Sequence, residues 1–273
     1  MFSISIAFFL GQICGTALLS PTPPKASLGT QSLRKAGWPD TLCQPVARYV
    51  IPIVIHIIHS SGDDSIPLSE VEAQMRRLFE DFRRLPGSLG FTPKGIDMQV
   101  EFSLATIDPW GNPTNGVVYW RYYQPPLNWS QPGLCVDDEY NMKVATGWPQ
   151  DKYLNVWVVP AICGFSGDCN DCSGIAGYAY YPDIGISPLY GSVVGASFFG
   201  GSLRGRGGRT LVHELGHNLG LAHPFDGSCG DACETSGDLV CDTPPTANPN
   251  FSVSRQNTCN NDLPDLPDDP RNF

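Results

Sequence analysis

The stretch TLVHELGHNLGLAHPF, from Thr210 to Phe225, predicts a short helix followed by a tight turn. His213 and His217 are four residues apart, so an α-helix places them on one face, about one turn from each other. Gly220 can adopt a left-handed backbone, which ends the helix and reverses the chain. This reversal would bring His223 back beside the two other imidazoles.

The spacing of His213, His217 and His223 predicts a site for one Zn²⁺. Imidazole nitrogens bind zinc at about 2.0–2.1 Å, and three protein ligands that leave a fourth position for water are typical of catalytic zinc. Glu214 follows the first ligand, where it can reach metal-bound water rather than the metal. A bare H-E-x-x-H can also place two structural histidines on an amphipathic helix. The added glycine and third histidine favour the zinc site.

Composition predicts one globular domain preceded by processing segments. The chain has 273 residues, of which 41% are hydrophobic and 16% charged. Its formal net charge is -10 and it has no basic run, which argues against nucleic acid and anionic membranes as partners. We expect the folded domain to cover residues 48–273.

The N-terminal region predicts a secreted protein. Residues 1–20 form an apolar run that ends in small residues, which is typical of a signal peptide, although no basic residue lies near Met1. A buried N-terminal strand is the alternative, but polar, proline-rich sequence follows at once. Residues 21–47 are predicted to be a pro-segment or linker. No membrane attachment is expected after removal of the signal.

The chain has ten cysteines, and removal of Cys14 with the signal leaves nine. This odd number predicts one free thiol or a partner that is not present. Cys43 could block the zinc site as a thiolate in a pro-segment, or it could form a disulfide; the absence of a recognisable switch motif favours the disulfide. Cys169 and Cys172 form a C-x-x-C, for which disulfide bonding is favoured over redox or metal chemistry in a secreted chain.

Hydrophobic periodicity predicts an α/β (mixed α+β) domain with a mixed sheet. A helix is expected from Ser69 to about Leu85, with a capping box made by Ser69 and Glu72. His56 and His59, in and just after the first strand, are predicted to be structural. A second helix is predicted from Asp137 to Thr146, an aromatic loop at 119–129, and strands at 49–58, 98–104, 153–159, 177–181 and 192–196.

Several segments outside the histidine motif resemble the pappalysin-like family of metzincin zinc metallopeptidases. These are IPIVIHIIH (51–59), LSEVEAQMRRLFEDFRR (68–84), MQVEFSLATIDPWGNPTNGV (98–117), NMKVATGWPQDKYLNVWVV (141–159) and GDLVCDTPP (237–245). The resemblance runs from about Tyr49 to the last residue. It implies the zincin-like fold with a twisted, mostly parallel sheet, an active-site helix and a smaller C-terminal subdomain. It also implies endopeptidase activity, with structural calcium in some relatives.

One departure from the family concerns the methionine turn, which lies downstream of the third histidine in metzincins. The four methionines of this chain all precede the histidine helix. We therefore expect the C-terminal subdomain to be incomplete, because the sequence is either a fragment or the product of a truncated gene.

The predicted function is that of a secreted zinc-dependent metalloendopeptidase acting on protein or peptide substrates. His213, His217 and His223 would hold the metal, and Glu214 would assist the attack of zinc-bound water on the peptide bond. The position of the strand at 192–196 makes it the candidate edge for the substrate, and the family resemblance implies that it pairs with an extended peptide by β-augmentation. The alternative is an inactive, truncated metzincin-fold binding protein, which only the missing methionine turn supports, since Glu214 is intact.

Overall fold

The fold is taken from a computed structural model, which describes residues 48–60, 66–88, 91, 95–129, 133–164, 168–172, 175–201, 208–232, 234–241, 243–249, 256–260 and 267–268. The predicted signal peptide, the pro-segment or linker, Cys14 and Cys43 lie outside these residues.

The main sheet has six strands and is parallel except at one edge. The strands are β1 (Tyr49–His59), β2 (Val100–Leu104), β3 (Val117–Arg121), β5 (Leu154–Val159), β7 (Gly177–Ala179) and β8 (Ser192–Gly195). Their order in the sheet is β2-β1-β5-β8-β7, and β3 also pairs with β1. β7 is antiparallel to β8, whereas every other pair in this sheet is parallel. A separate two-stranded sheet joins β4 (Leu134–Cys135) to β6 (Ile162–Cys163).

Strand β1 lies inside the sheet and is buried on both faces from residue 53 to residue 58, because the sheet has a core on each side. Successive side chains of a strand point to opposite faces, so Ile53, Ile55 and Ile57 enter one core. Ile58 enters a second core together with Trp157 and Val193. A β-branched run suits this position, since parallel sheets are covered on both sides.

Helices cover both faces of the sheet. α1 (Leu68–Phe82) and α3 (Arg209–Asn218) bury Val71, Leu78, Leu211 and Leu215 in the core that also contains Ile53. α2 (Glu139–Thr146) packs Met142 into the opposite core. The three helices match predicted ones, but the predicted capping box is wrong. Pro67 is the N-cap residue of α1, and no side chain caps that helix.

The predicted fold class is confirmed, with two corrections to the strands. The segment predicted as an aromatic loop contains part of β3, whose pairing with β1 could not be read from an irregular aromatic pattern. The candidate edge strand at 192–196 is also wrong: β8 lies between β5 and β7 and all its residues are buried. The antiparallel strand β7 occupies the sheet edge instead.

Disulfides stabilise the loops in the described part of the chain. They join Cys135 to Cys169, Cys163 to Cys172, and Cys229 to Cys259. The two cysteines of the C-x-x-C are therefore disulfide-bonded as expected, each to a different partner. Among the described cysteines none is free. The helices described here include none that is long and apolar enough to cross a membrane.

Candidate active site

Helix α3 and the turn after it bring the three predicted ligands together. His213 and His217 lie one turn apart on α3, and Gly220 follows the helix with a φ of 92°. This left-handed residue reverses the chain, as predicted, and returns His223 to the helix. The Nε2 atoms of His217 and His213 are 3.0 Å apart, and each lies 3.1 Å from Nε2 of His223.

The hydrogen bonds at the Nδ1 atoms determine whether each Nε2 atom carries a proton or a lone pair. Nδ1 of His217 lies 2.6 Å from the carbonyl oxygen of Leu221, which can only accept, so we assign the ring proton to Nδ1. Nδ1 of His223 lies 3.3 Å from a carboxylate oxygen of Asp226, and the same assignment follows. In their neutral forms, both imidazoles then direct Nε2 lone pairs at each other across 3.1 Å. A cation between them would remove that repulsion.

This donor set fits a zinc ion. Tetrahedral zinc with nitrogen ligands at about 2.0–2.1 Å separates neighbouring nitrogens by about 3.3–3.4 Å, close to the distances between the three Nε2 atoms. A second grouping of metal-type residues in the described chain joins Cys135, Asp137 and Cys169. Its two sulfurs form a disulfide and are not thiolate ligands. The histidine cluster is therefore the candidate metal centre.

Glu214 lies next to His213 on α3, and its side chain is almost completely enclosed, with 5% of the residue exposed. This burial raises the pKa of its carboxyl group to about 8, because desolvation penalises the charged form. Gly177 of β7 packs against it: a Cβ atom on Gly177 would lie 3.1 Å from Oε1 of Glu214. The absence of a side chain at this position allows the sheet edge to approach the carboxylate closely.

Asp226 and Tyr181 also belong to the site, although neither residue is part of the predicted histidine motif. The hydroxyl of Tyr181 donates to Oδ2 of Asp226 at 3.2 Å, and the backbone N–H of His223 donates to the same oxygen at 2.9 Å. The Tyr181 ring lies edge-on to His217, with the ring centroids 5.4 Å apart. The three-residue spacing from His223 to Asp226 was a usable signal for Asp226; nothing local marked Tyr181.

Asn218 at the end of α3 connects the helix to the sheet. It is fully buried. Its side-chain oxygen accepts from the Ser192 hydroxyl at 2.6 Å, and its amide donates to the Tyr180 carbonyl at 2.8 Å. Since Ser192 begins β8 and Tyr180 follows β7, Asn218 sets the distance between the histidine helix and the sheet edge.

His56 has the structural role expected from its position in a buried strand. Its Nε2 lies 2.9 Å from the Asn155 side-chain oxygen, and the Trp120 indole donates to its Nδ1 at 3.3 Å. Both ring nitrogens are therefore engaged inside the core, and His56 offers none to a metal.

Comparisons with known proteins connect this site to one peptidase family. The family model described as pregnancy-associated plasma protein-A, of the M43 peptidases, matches residues 138–265. An extracellular metalloprotease of Arthroderma otae is 27% identical over 215 residues, which are 76% of this chain and 63% of the relative. A Pyricularia oryzae protein with the same description is 28% identical over 219 residues, 76% of this chain and 60% of the relative. The chain thus spans less than two thirds of the length of these two relatives.

A solved structure shares the fold. Mature mirolysin of Tannerella forsythia, solved in complex with a cleaved peptide, superposes with a TM-score of 0.58 and 28% sequence identity over 73% of each chain. The mixed, mostly parallel sheet described above agrees with that fold. The matched segment contains the whole histidine motif. The segment that carries the histidine motif is therefore similar to the M43, pappalysin-like metallopeptidases, and the fold is that of a metzincin structure.

Proposed function

We propose that this chain is a secreted zinc-dependent endopeptidase that hydrolyses peptide bonds in protein or peptide substrates. The observation that carries the proposal is the convergence of three Nε2 atoms within 3.0–3.1 Å beside a buried carboxylate. The similarity to M43 peptidases supports zinc as the metal, and the names of the relatives support both the protease activity and the extracellular location. Structural calcium stays a prediction from the family resemblance.

His213, His217 and His223 would hold the zinc ion. Zinc supplies two effects when bound at such a site: it polarises the scissile carbonyl and lowers the pKa of a water molecule toward about 7. Asp226 accepts a hydrogen bond from the His223 ring, and the Leu221 carbonyl accepts one from the His217 ring. These contacts hold the imidazoles in the tautomer that leaves Nε2 free to bind.

Glu214 would act as the general base and then as the general acid. Its carboxylate accepts the proton of the attacking water and passes it to the leaving amine. Burial raises the carboxyl pKa, and a neighbouring dication lowers it. The enclosure also keeps bulk water from competing for the transferred proton.

β7 would align the substrate. It is the antiparallel edge strand of the sheet, and Gly177 within it faces the Glu214 carboxylate. An extended peptide that adds to such an edge by backbone hydrogen bonds has its residues fixed in register with the strand. The scissile bond would then be delivered beside the general base and the histidine cluster.

The experiment separates metal binding from chemistry in the purified chain. Glu214→Gln keeps the side-chain size but removes the base, so we expect bound zinc at the wild-type level and turnover lower by about 10²-fold or more. His213→Ala removes a ligand, and both zinc and turnover should fall. The measurements are zinc per chain and cleavage of casein, with and without a chelator.

His59→Gln is the matched control, because it removes a histidine outside the cluster. Near-wild-type turnover in Glu214→Gln would overturn the assignment of the base. Full activity with chelator, together with no zinc in the folded wild-type protein, would overturn the metallopeptidase proposal.

A further inference from the structure

The side chain of Asp226 makes contacts that join the third histidine to the substrate-side edge of the sheet. One oxygen, Oδ1, faces Nδ1 of the His223 ring at 3.3 Å. The other, Oδ2, accepts from the His223 backbone N–H at 2.9 Å and from the Tyr181 hydroxyl at 3.2 Å. Both oxygens of one carboxylate are therefore engaged, and two of the three donors belong to the same histidine.

We propose that Asp226 and Tyr181 form a positioning pair that orients His223 for metal binding. The inference rests on the proposed zinc site. These two residues, which do not belong to the set of His213, His217 and His223, would contribute measurably to the affinity for zinc without contacting the metal.

The need for such a pair follows from how His223 is held. His213 and His217 are fixed by α3, whereas His223 follows the helix, on a turn that begins at Gly220. The bond from the His223 backbone N–H holds the turn, and the bond to Nδ1 sets the rotation of the ring. A carboxylate that accepts from a metal-binding imidazole fixes its tautomer and raises its basicity. Asp226 does both for the one ligand that lies outside α3.

Tyr181 extends the same contact to the sheet. It comes two residues after the last residue of β7, and its bond to Asp226 spans 45 residues of sequence. The Tyr181 ring also packs edge-on against His217. One side chain therefore touches His217 and the carboxylate that orients His223, so a displacement of the chain after β7 reaches two ligands together.

The test is zinc affinity of the full chain, measured by competition with a chromophoric chelator. Asp226→Asn retains the shape of the side chain but lacks the second acceptor oxygen and the charge. We expect its dissociation constant for zinc to rise by about 10–100-fold. Tyr181→Phe removes one neutral hydrogen bond and keeps the ring, so a rise of roughly two- to tenfold is expected.

The matched controls are neighbours of the same chemical type. Asp183→Asn removes an exposed carboxylate close to Tyr181, and Tyr180→Phe removes a hydroxyl that bonds to Glu139 instead. Both should leave the zinc dissociation constant unchanged. As a second readout, the visible spectrum of the Co²⁺-substituted protein should change in Asp226→Asn and stay as in wild type in the two controls.

The outcomes separate the inference from the proposed function. Zinc affinity and cobalt spectrum at wild-type values in both Asp226→Asn and Tyr181→Phe would overturn the positioning role and leave the metal site intact. An equal loss of affinity in Asp183→Asn would overturn it too, since general charge would then be the cause. If Asp226→Asn does not fold, Tyr181→Phe decides alone. A folded wild-type chain that binds no zinc would overturn both the metal site and the inference.

Discussion

Acid should destabilise this protein through His56, a residue that takes no part in the proposed chemistry. His56 is fully buried, is stacked on Trp157 with the centroids 5.3 Å apart, and accepts the Trp120 indole N–H at Nδ1. A proton added at Nδ1 would point at another donor. Burial accordingly lowers the pKa of His56 from 6.5 to about 4, although the hydrogen bond to Asn155 opposes the shift.

The sign of the effect follows from proton binding. Because the folded pKa lies below the unfolded value, the unfolded chain binds more protons between pH 4 and pH 6.5. The stability linked to His56 is therefore complete above pH 6.5 and is lost as the pH falls toward 4. A difference of about 2.5 pH units, at about 1.4 kcal/mol per unit, corresponds to about 3 kcal/mol, of which about 2 kcal/mol is lost between pH 7 and pH 4.5.

Urea unfolding at pH 7 and pH 4.5 measures this loss, with chelator in every sample so that metal-linked protonation is excluded. In His56→Gln the pH-dependent loss should shrink by about 2 kcal/mol relative to wild type, whatever the variant's stability at pH 7. His59→Gln, on the half-buried last residue of the same strand, should keep the wild-type difference. An unchanged loss in His56→Gln would refute the reasoning.

Three further substitutions test individual contacts in the sheet and in the helices around the site. Gly177→Ala places a methyl group 2.9 Å from Cγ2 of Thr210, 3.0 Å from the Val193 carbonyl oxygen and 3.1 Å from Oε1 of Glu214, so the strand must move away from the carboxylate. It should lower kcat by about tenfold or more at unchanged zinc content, as measured by steady-state kinetics and metal analysis. Asn218→Ala leaves the buried Ser192 hydroxyl and the part-buried Tyr180 carbonyl without their hydrogen bonds. It should lower the free energy of unfolding by about 2–4 kcal/mol in urea titrations, and a loss below about 0.5 kcal/mol would contradict its role. Lys143→Ala removes the cation that lies 2.7 Å from the buried Glu139 carboxylate and leaves that charge with the Tyr180 hydroxyl as a neutral donor. It should lower the free energy of unfolding by about 3–5 kcal/mol, and an unchanged free energy would contradict the role of the ion pair.

The sequence by itself determined those features of the protein that depend on residues close together in the chain. The i, i+4 histidines and the following glycine predict a helix and a left-handed turn from residues that are close in sequence, and α3, Gly220 and the neighbouring imidazoles agree with that prediction. The β-branched run of β1 predicted a strand covered on both sides, and the structure places it inside the sheet, with β5 on one side and β2 and β3 on the other. The segments that resemble the family predicted the fold class for the same reason, since each is a continuous stretch of sequence.

Only the tertiary structure determined the order of the strands and the hydrogen bonds that hold the three histidines and their helix in place. β7 and β8 are both short. The hydrophobic periodicity of a strand indicates which of its side chains are buried, but it does not indicate which strands lie beside it. The edge was therefore assigned to β8, which is buried on both sides, whereas β7 occupies it. Tyr181 meets Asp226 across 45 residues, and Asn218 meets Tyr180 across 38. Hydrogen bonds between residues so far apart have no local periodicity, so they become visible only when packing brings their elements together.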